Sequence, residues 1–310
     1  MSRLQADLAL LFAGFIWGFG FIAQKDAMDH IGPCTFLASR FLLSAAFVLP
    51  LVFYEKSIKR LGKAARNGYG LHILMLCLIF TAGDILQQYG LTTTTVTNTA
   101  FLTGLYVVMV PFVGYVLYKQ KLSFTVFIAG LFSVIGVWFL SGGTLDNIAI
   151  TLGRGEILVL LCALCFALQV SMLGNLTQKL KAPMLLSFLQ YLAVGLITLV
   201  LALVYEEINL AALKEAWVSI AFAGIASGGI AYTLQAVAQQ HTPSADAAII
   251  MSSEALFGGI GGVWLLKEPF TFASFIGCTA IMGAIILVEL APLLRKTRRV
   301  TLKSLFKYQK

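Results

Sequence analysis

The sequence predicts an all-α integral membrane protein in which ten transmembrane helices form two inverted five-helix repeats. Three observations predict it. Of 310 residues, 59% are hydrophobic and only 12% charged, with a mean hydropathy of +0.89. A soluble domain averages about 25% charged residues, so this chain has too few to coat a water-facing surface. Its apolar residues gather in ten runs, each near the roughly 20 residues that cross about 30 Å of hydrocarbon. Finally, the two halves of the chain match each other at an offset close to 148 residues.

The runs fall at 6–24, 34–54, 71–89, 97–118, 124–141, 156–176, 184–205, 217–237, 245–266 and 272–291. The first follows Arg3, as the core of a secretory signal would. No small-residue cleavage site follows it, however, and a matching helix opens the second half, so it reads as the first span. The second carries Arg40 inside "FLASRFLLSAAFVLP", and the third carries Asp84 in "TAGDILQQYG". The polar stretch "EKSIKRLGKAARNGYG" between them reads as a loop with amphipathic helical character. The ninth run holds Glu254 about nine residues in. Cys34, Cys77, Cys162, Cys165 and Cys278 lie in or beside spans. The one CxxC sits inside an apolar helix with no second ligand pair, which reads as packing rather than a disulfide framework or zinc site.

Lys and Arg flanking the spans set the orientation. With the N-terminus inside, the inner side receives Arg3, Lys56, Lys59, Arg60, Lys63, Arg66, Lys119, Lys121, Lys179, Lys181 and seven tail residues. The outer side receives only Lys25, Arg154, Lys214 and Lys267. Both termini are therefore expected in the cytoplasm of a cell (inner or plasma) membrane protein. The net charge of +8 is accounted for by topology and a tail lying against anionic lipid, so no nucleic-acid partner is expected.

"YKQKLSF" (118–124) aligns with "LKEPFTF" (266–272), "FIAG" with "FIGC", Gln87 with Gln235, Asp7 with Glu156, Trp17 with Phe166 and Pro33 with Pro183. The domains are thus 1–148 and 149–291, followed by a basic tail, 292–310. Five spans per repeat is an odd number, so the second repeat sits upside down. Inverted repeats suit a transporter, because exchanging the conformations of two equivalent halves gives alternating access.

The chain resembles the EamA-type members of the drug/metabolite transporter superfamily. The resemblance rests on "WGFGFIAQK" (17–25), "GPCTFLASRF" (32–41), "GLTTTTVTNTAFLTGLYVVMVPFVGYVLYKQKLS" followed by "GLFSVIGVWFL", and "AQQHTPSADAAIIMSSEALFGGIGGVWLLKEPFTFASFIG". It implies ten helices around a central cavity and a secondary carrier, usually an exporter of metabolites or amino acids. One departure is visible: Gln120 stands where the family commonly has Glu, which Glu268 keeps in the second repeat. Arg40 stands where the family pattern has an arginine, and the resemblance favours a cavity position for it.

Arg40 and Asp84 are depth-matched from the outer surface and opposite in charge, so they are expected to share a partly wet cavity. An arginine there suits a substrate carboxylate or phosphate, which its planar fork binds bidentately. The alternative for Arg40 is snorkelling from a lipid-facing position. Thr81, Asp84, Gln87 and Gln88 share one helical face, and Tyr232, Gln235 and Gln239 form the matching stripe. These polar residues, with Gln169 and Gln190, either line a path or hydrogen-bond helices together. Glu254 lies near the midplane, where a carboxyl is cheapest in its neutral form. It is the proton-coupling candidate, together with Asp84, or else a structural carboxyl. Lys25 reads as an interfacial anchor. Trp17, Phe21, Tyr106, Tyr191, Tyr232 and Trp264 are candidate pocket walls, with helix packing as the alternative. Gly14-xxx-Gly18, Gly224-xxx-Gly228 and Gly258-xxx-Gly262 allow close helix approach, and Pro111 and Gly259 are candidate flexing points.

No metal or cofactor is expected, and the partners are a small-molecule substrate, protons and membrane lipids. Catalysis finds little support: "TAGD" lacks the first Gly of an intramembrane aspartyl protease motif, and His30, His72 and His241 all lie near span ends. A receptor or scaffold would lack a soluble output domain. Two substrate classes compete within transport. One is amino acids or other carboxylated metabolites held by Arg40. The other is lipophilic cations held by Glu254 or Asp84 with the aromatics. Nucleotide sugars are a distant third. Ten spans can enclose a path within a monomer.

Overall fold

A computed structural model describes residues 1–58, 62, 64, 66–120, 124–140, 153–267, 271–273, 275–284 and 286–287. Lys59, Arg60, Lys63, Lys121, Glu268 and the tail 292–310 lie outside the described residues. Ten apolar helices follow in order: α1 (Arg3–Ala27), α2 (Pro33–Tyr54), α3 (Gly70–Thr93), α4 (Val96–Tyr118), α5 (Phe124–Leu140), α6 (Arg154–Leu180), α7 (Pro183–Tyr205), α8 (Trp217–Ala238), α9 (Ser244–Leu265) and α10 (Phe275–Ala284). Eight are long and apolar enough to cross a membrane; α5 and α10 are shorter apolar helices within the described residues. Large apolar side chains such as Phe12, Leu74, Leu78 and Leu203 face outward, as lipid contact requires.

Helix boundaries follow local chemistry. Ser2 and Gln5 form a capping box at the start of α1, satisfying two of its orphan donors. Pro33 and Pro183 open α2 and α7, where a missing N–H costs nothing. The first free N–H groups of α2 are taken from across the bundle. Glu206, just past α7, accepts from the backbone N–H of Cys34 and Thr35 at 2.8 Å each and from the Thr35 hydroxyl at 2.7 Å. Lys56, Lys119, Lys181 and Lys267, at the ends of α2, α4, α6 and α9, adopt the left-handed conformation with φ of 53–56°. Glycine usually fills that position; lysine instead brings positive charge to the negative end of each helix.

The helix contacts repeat across the two halves. α2 packs on α7; α1 packs on α9 as α6 packs on α4; α1 packs on α8 as α6 packs on α3; and α2 meets α8 as α7 meets α3. Close approach depends on absent side chains. A Cβ on Gly18 would lie 2.5 Å from Phe257 Cβ and 2.7 Å from the Gly258 nitrogen, and one on Gly224 would lie 2.9 Å from the Arg40 carbonyl oxygen.

Among the described residues, three helices depart from regular α geometry. α4 breaks at Leu105 between Val96–Gly104 and Tyr106–Tyr118, and α9 breaks at Ser252 between Ser244–Met251 and Ser253–Leu265. The interruptions therefore fall nearly two turns before the expected flexing points, Pro111 and Gly259. In α8, Phe222–Tyr232 forms a π-helix. Its backbone hydrogen bonds run from i+5 to i and widen each turn. The Ser44 hydroxyl lies 2.7 Å from the Gly224 oxygen and 2.8 Å from the Arg40 oxygen, and Trp17 Nε1 donates to the Ser227 oxygen at 3.3 Å.

Candidate functional site

An arginine in an apolar helix needs a partner on a neighbouring helix at the same depth. Arg40 of α2 finds Asp84 of α3: Nη2 lies 3.0 Å from Oδ1, and each side chain is only 1% exposed. Its guanidinium carbon also lies 4.4 Å from the Phe41 ring centroid and 5.7 Å from that of Phe36, adding cation–π attraction. Full burial excludes the snorkelling alternative for Arg40. Nε and Nη1 have no protein hydrogen bond among the described residues, and neither does Asp84 Oδ2. Most of the five guanidinium donors are therefore uncommitted.

Arg40 opens onto a central cavity of about 30 Å³, room for one or two waters. Of the residues singled out in the sequence, Trp17, Phe21, Gln87, Tyr106, Gln169, Tyr232, Gln235 and Glu254 line it too. Asp84 stands behind Arg40 rather than on the wall. Gln88 is buried with both amide atoms unbonded, away from the cavity. Gln190 bonds Gln169 from behind at 3.0 Å, and the Tyr191 hydroxyl meets Thr233 Oγ1 at 3.1 Å. Trp264 corrects the expectation of a pocket wall: it is 81% exposed, because its face of α9 points out of the bundle. Gln239 Nε2 donates to the Val170 carbonyl oxygen and so ties α8 to α6, while the Thr81 hydroxyl donates to the Cys77 carbonyl oxygen within its own helix. Lys25 Nζ donates to the Leu91 oxygen at 3.0 Å, near the negative end of α3.

Sequence reasoning missed Gln24, Phe166, Val170, Ser227 and Met251 in the lining. Repeat equivalence carried a signal for two of them. Trp17 and Phe166 are 149 residues apart, as are Phe21 and Val170, and all four line the cavity. Gln87 pairs with Gln235, and Tyr106 with Glu254, at 148. The helix breaks at Leu105 and Ser252 fall one residue before Tyr106 and two before Glu254. The Tyr106 hydroxyl, Gln235 Oε1 and Glu254 Oε1 have no hydrogen-bond partner among the described residues. The cavity thus combines a cation with unpaired donors and several unpaired acceptors, walled by Trp17 and Tyr232 with ring centroids 4.5 Å apart.

Two repeat-equivalent hydrogen-bonded contacts, here called latches, tie loops to helices. The Thr242 hydroxyl donates to Asp7 Oδ1 at 2.7 Å, tying the α8–α9 loop to α1. The Thr94 hydroxyl donates to Glu156 Oε1 at 2.6 Å, tying the α3–α4 loop to α6. Both partners are repeat equivalents. The first latch also carries Arg3, whose guanidinium reaches Asp7 at 3.3 Å and Asp246 at 2.6 Å. Among the described residues no group of three or more His, Cys, Asp or Glu is placed to hold a metal ion, and all five cysteines are free thiols.

The model of the EamA-like transporter family matches residues 4–142 and 153–290. An uncharacterized transporter of Archaeoglobus fulgidus is 31% identical over 293 residues, covering 94% of this chain and 87% of its own. An uncharacterized transporter of Methanothermobacter thermautotrophicus is 24% identical over 306 residues, covering 93% and 87%. A solved crystal structure superposes with a TM-score of 0.75 at 14% identity, covering 96% of this chain and 99% of that one; that likeness concerns the fold.

Proposed function

We propose that this chain, which belongs to the EamA-like transporter family, is a proton-coupled secondary carrier that exports small carboxylated metabolites such as amino acids. That it is a multi-pass membrane transporter follows from the family; the substrate class, coupling and direction are our reading. Arg40 is the anion anchor. The observation that carries this is a buried guanidinium on the cavity wall, tied to Asp84 by one nitrogen and free at the other two. A substrate carboxylate takes those donors with the strength of a charge-assisted bond.

Glu254 is the proton site. It lines the same cavity with one oxygen unpaired, at a depth where gaining or losing a proton changes the cost of burial by on the order of several kcal/mol. In this reading both termini are cytoplasmic in the cell membrane, the working unit is a monomer in lipid, and the Asp7–Thr242 and Glu156–Thr94 latches open in turn. A cavity of about 30 Å³ is contracted, so substrate entry requires one latch to part.

The test is counterflow in proteoliposomes loaded with amino acids and small organic acids, with and without a proton gradient. The wild type is compared with Arg40→Ala/Asp84→Asn, a pair chosen so that no charge is stranded. Flux of a carboxylated solute that the double variant loses supports the reading. The unpaired Glu254 oxygen and the Trp17–Tyr232 wall favour a second reading, export of lipophilic cations. Clearance of such cations by wild type and double variant alike, with no carboxylate flux, would replace the first reading with the second.

A further inference from the structure

Three buried glutamines form a chain that runs from the back of the bundle to the cavity. In α7, Gln190 Nε2 donates to the Leu186 carbonyl oxygen at 3.1 Å. In α6, Gln169 Nε2 donates to Gln190 Oε1 at 3.0 Å. In α8, Gln235 Nε2 donates to Gln169 Oε1 at 3.3 Å. All three side chains are at least 98% buried. The chain ends at Gln235 Oε1, which has no partner among the described residues and belongs to a cavity-lining residue.

An isolated amide can turn over and exchange its oxygen for its NH2. This chain cannot do so freely, because its far end rests on a backbone carbonyl, which only accepts. Gln190 must present Nε2 to Leu186 and hence Oε1 to Gln169. With Nε2 turned to Gln190, Gln169 presents its oxygen to Gln235, and Gln235, with Nε2 turned to Gln169, presents its oxygen to the cavity. Turning any one amide would set two oxygens or two NH2 groups against each other in a dry interior, where unmade hydrogen bonds are costly.

We propose that this glutamine chain fixes the hydrogen-bond polarity of the binding site, so that Gln235 is a permanent acceptor and Gln190 is its positioning residue. The inference rests on the reading that this cavity binds the transported solute. It narrows the substrate class to solutes that carry an N–H or O–H donor as well as a carboxylate. The donors of Arg40 take the carboxylate; Gln235 Oε1 takes the donor. Gln190 reaches no substrate and acts through Gln169.

The test uses the full chain in detergent with 15N-labelled glutamine, the Gln235 signal being assigned by its loss in Gln235→Glu. Hydrogen exchange of the Gln235 side-chain NH2 is expected to be slow in wild type, since that group points into the bundle. In Gln190→Met, which neither donates nor accepts, the chain loses its fixed end and exchange should accelerate at least tenfold. Gln190→Glu keeps an acceptor for Gln169 and should restore slow exchange. Fast exchange in wild type, or a rate indifferent to Gln190→Met, overturns the proposal. In parallel, thermal stabilisation by L-leucine is compared with that by 4-methylpentanoate, which lacks only the amino group. The wild type should prefer leucine, and Gln190→Met should reduce that preference by roughly tenfold, the value of one well-made hydrogen bond. If neither solute binds wild type, the carboxylate reading loses support while the exchange rates still decide the chain's polarity.

Discussion

Neutralising Asp84 strands a buried guanidinium, and the cost can be worked from the geometry. At 3.0 Å and an effective dielectric of about 20, the Coulomb attraction is about 5–6 kcal/mol. Desolvation of both ions offsets much of it. Removing one partner leaves the other charge uncompensated, which costs about 3–5 kcal/mol. Asp84→Asn should therefore lower the unfolding midpoint by roughly 6–10 °C, at about 2 °C per kcal/mol for a chain of this length. Arg40→Gln should cost less, because a stranded carboxylate can take up a proton whereas a guanidinium cannot lose one. The double variant Arg40→Gln/Asp84→Asn has no charge left to strand and should fall less than Asp84→Asn alone, a non-additivity of about 3 kcal/mol or more. Thermal unfolding of the four proteins in detergent measures this cycle. Additive losses, or an Asp84→Asn shift within 1 °C of wild type, would refute the view that the pair is a mutually compensating buried unit.

Two further outcomes follow from the packing. A cysteine placed at Ser227, in a background free of native cysteines, should report the latches: in the orientation proposed above, Thr242→Val should raise its labelling from the cytoplasmic side and Thr94→Val from the outer side. Loss of a hydrogen bond to a carboxylate, about 1.5–3 kcal/mol, corresponds to tenfold or more in rate if the latch limits opening. Equal effects from both sides would rule out paired gates. Gly18→Ala should destabilise by about 1–3 kcal/mol through overpacking, since its Cβ would meet the α9 backbone at 2.7–2.8 Å. Gly104→Ala, whose Cβ would lie 3.9 Å from Ala255, should be tolerated; equal loss of folded yield in both would contradict the α1–α9 packing.

A repeated frame carries unequal chemistry here. The lining pairs Trp17 with Phe166, Phe21 with Val170, Gln87 with Gln235 and Tyr106 with Glu254 across the two halves. At the repeat positions of the Arg40–Asp84 pair stand Gln190 and Tyr232. One side of the cavity therefore offers an ion pair, and the other a neutral hydrogen-bond chain and an aromatic ring. The latches share the asymmetry: Arg3 and Asp246 add charge to one, while Asn98 occupies the Asp246 position beside the other. Equivalent gates with unequal strengths would bias which side opens first.

Apolar run length and the 148-residue self-match determined the ten helices and the two-repeat plan, because bilayer thickness and backbone hydrogen bonding leave few alternatives. The same information placed Arg40 and Asp84 at one depth, since depth along a helix is a matter of counting residues. Azimuth is not. Whether Trp264 faces lipid or cavity, or Gln190 stands behind Gln169, depends on how each helix is rotated against its neighbours, and a nearly uniform apolar surface encodes that rotation weakly. Ser227 and Met251 entered the lining through a π-helix and a helix break, local deviations that side-chain periodicity does not record. Partner choice was also beyond the sequence, because a polar group in a dry interior takes whichever donor or acceptor the packing brings within reach. The tertiary structure therefore decided which glutamines line the cavity and which stand behind them.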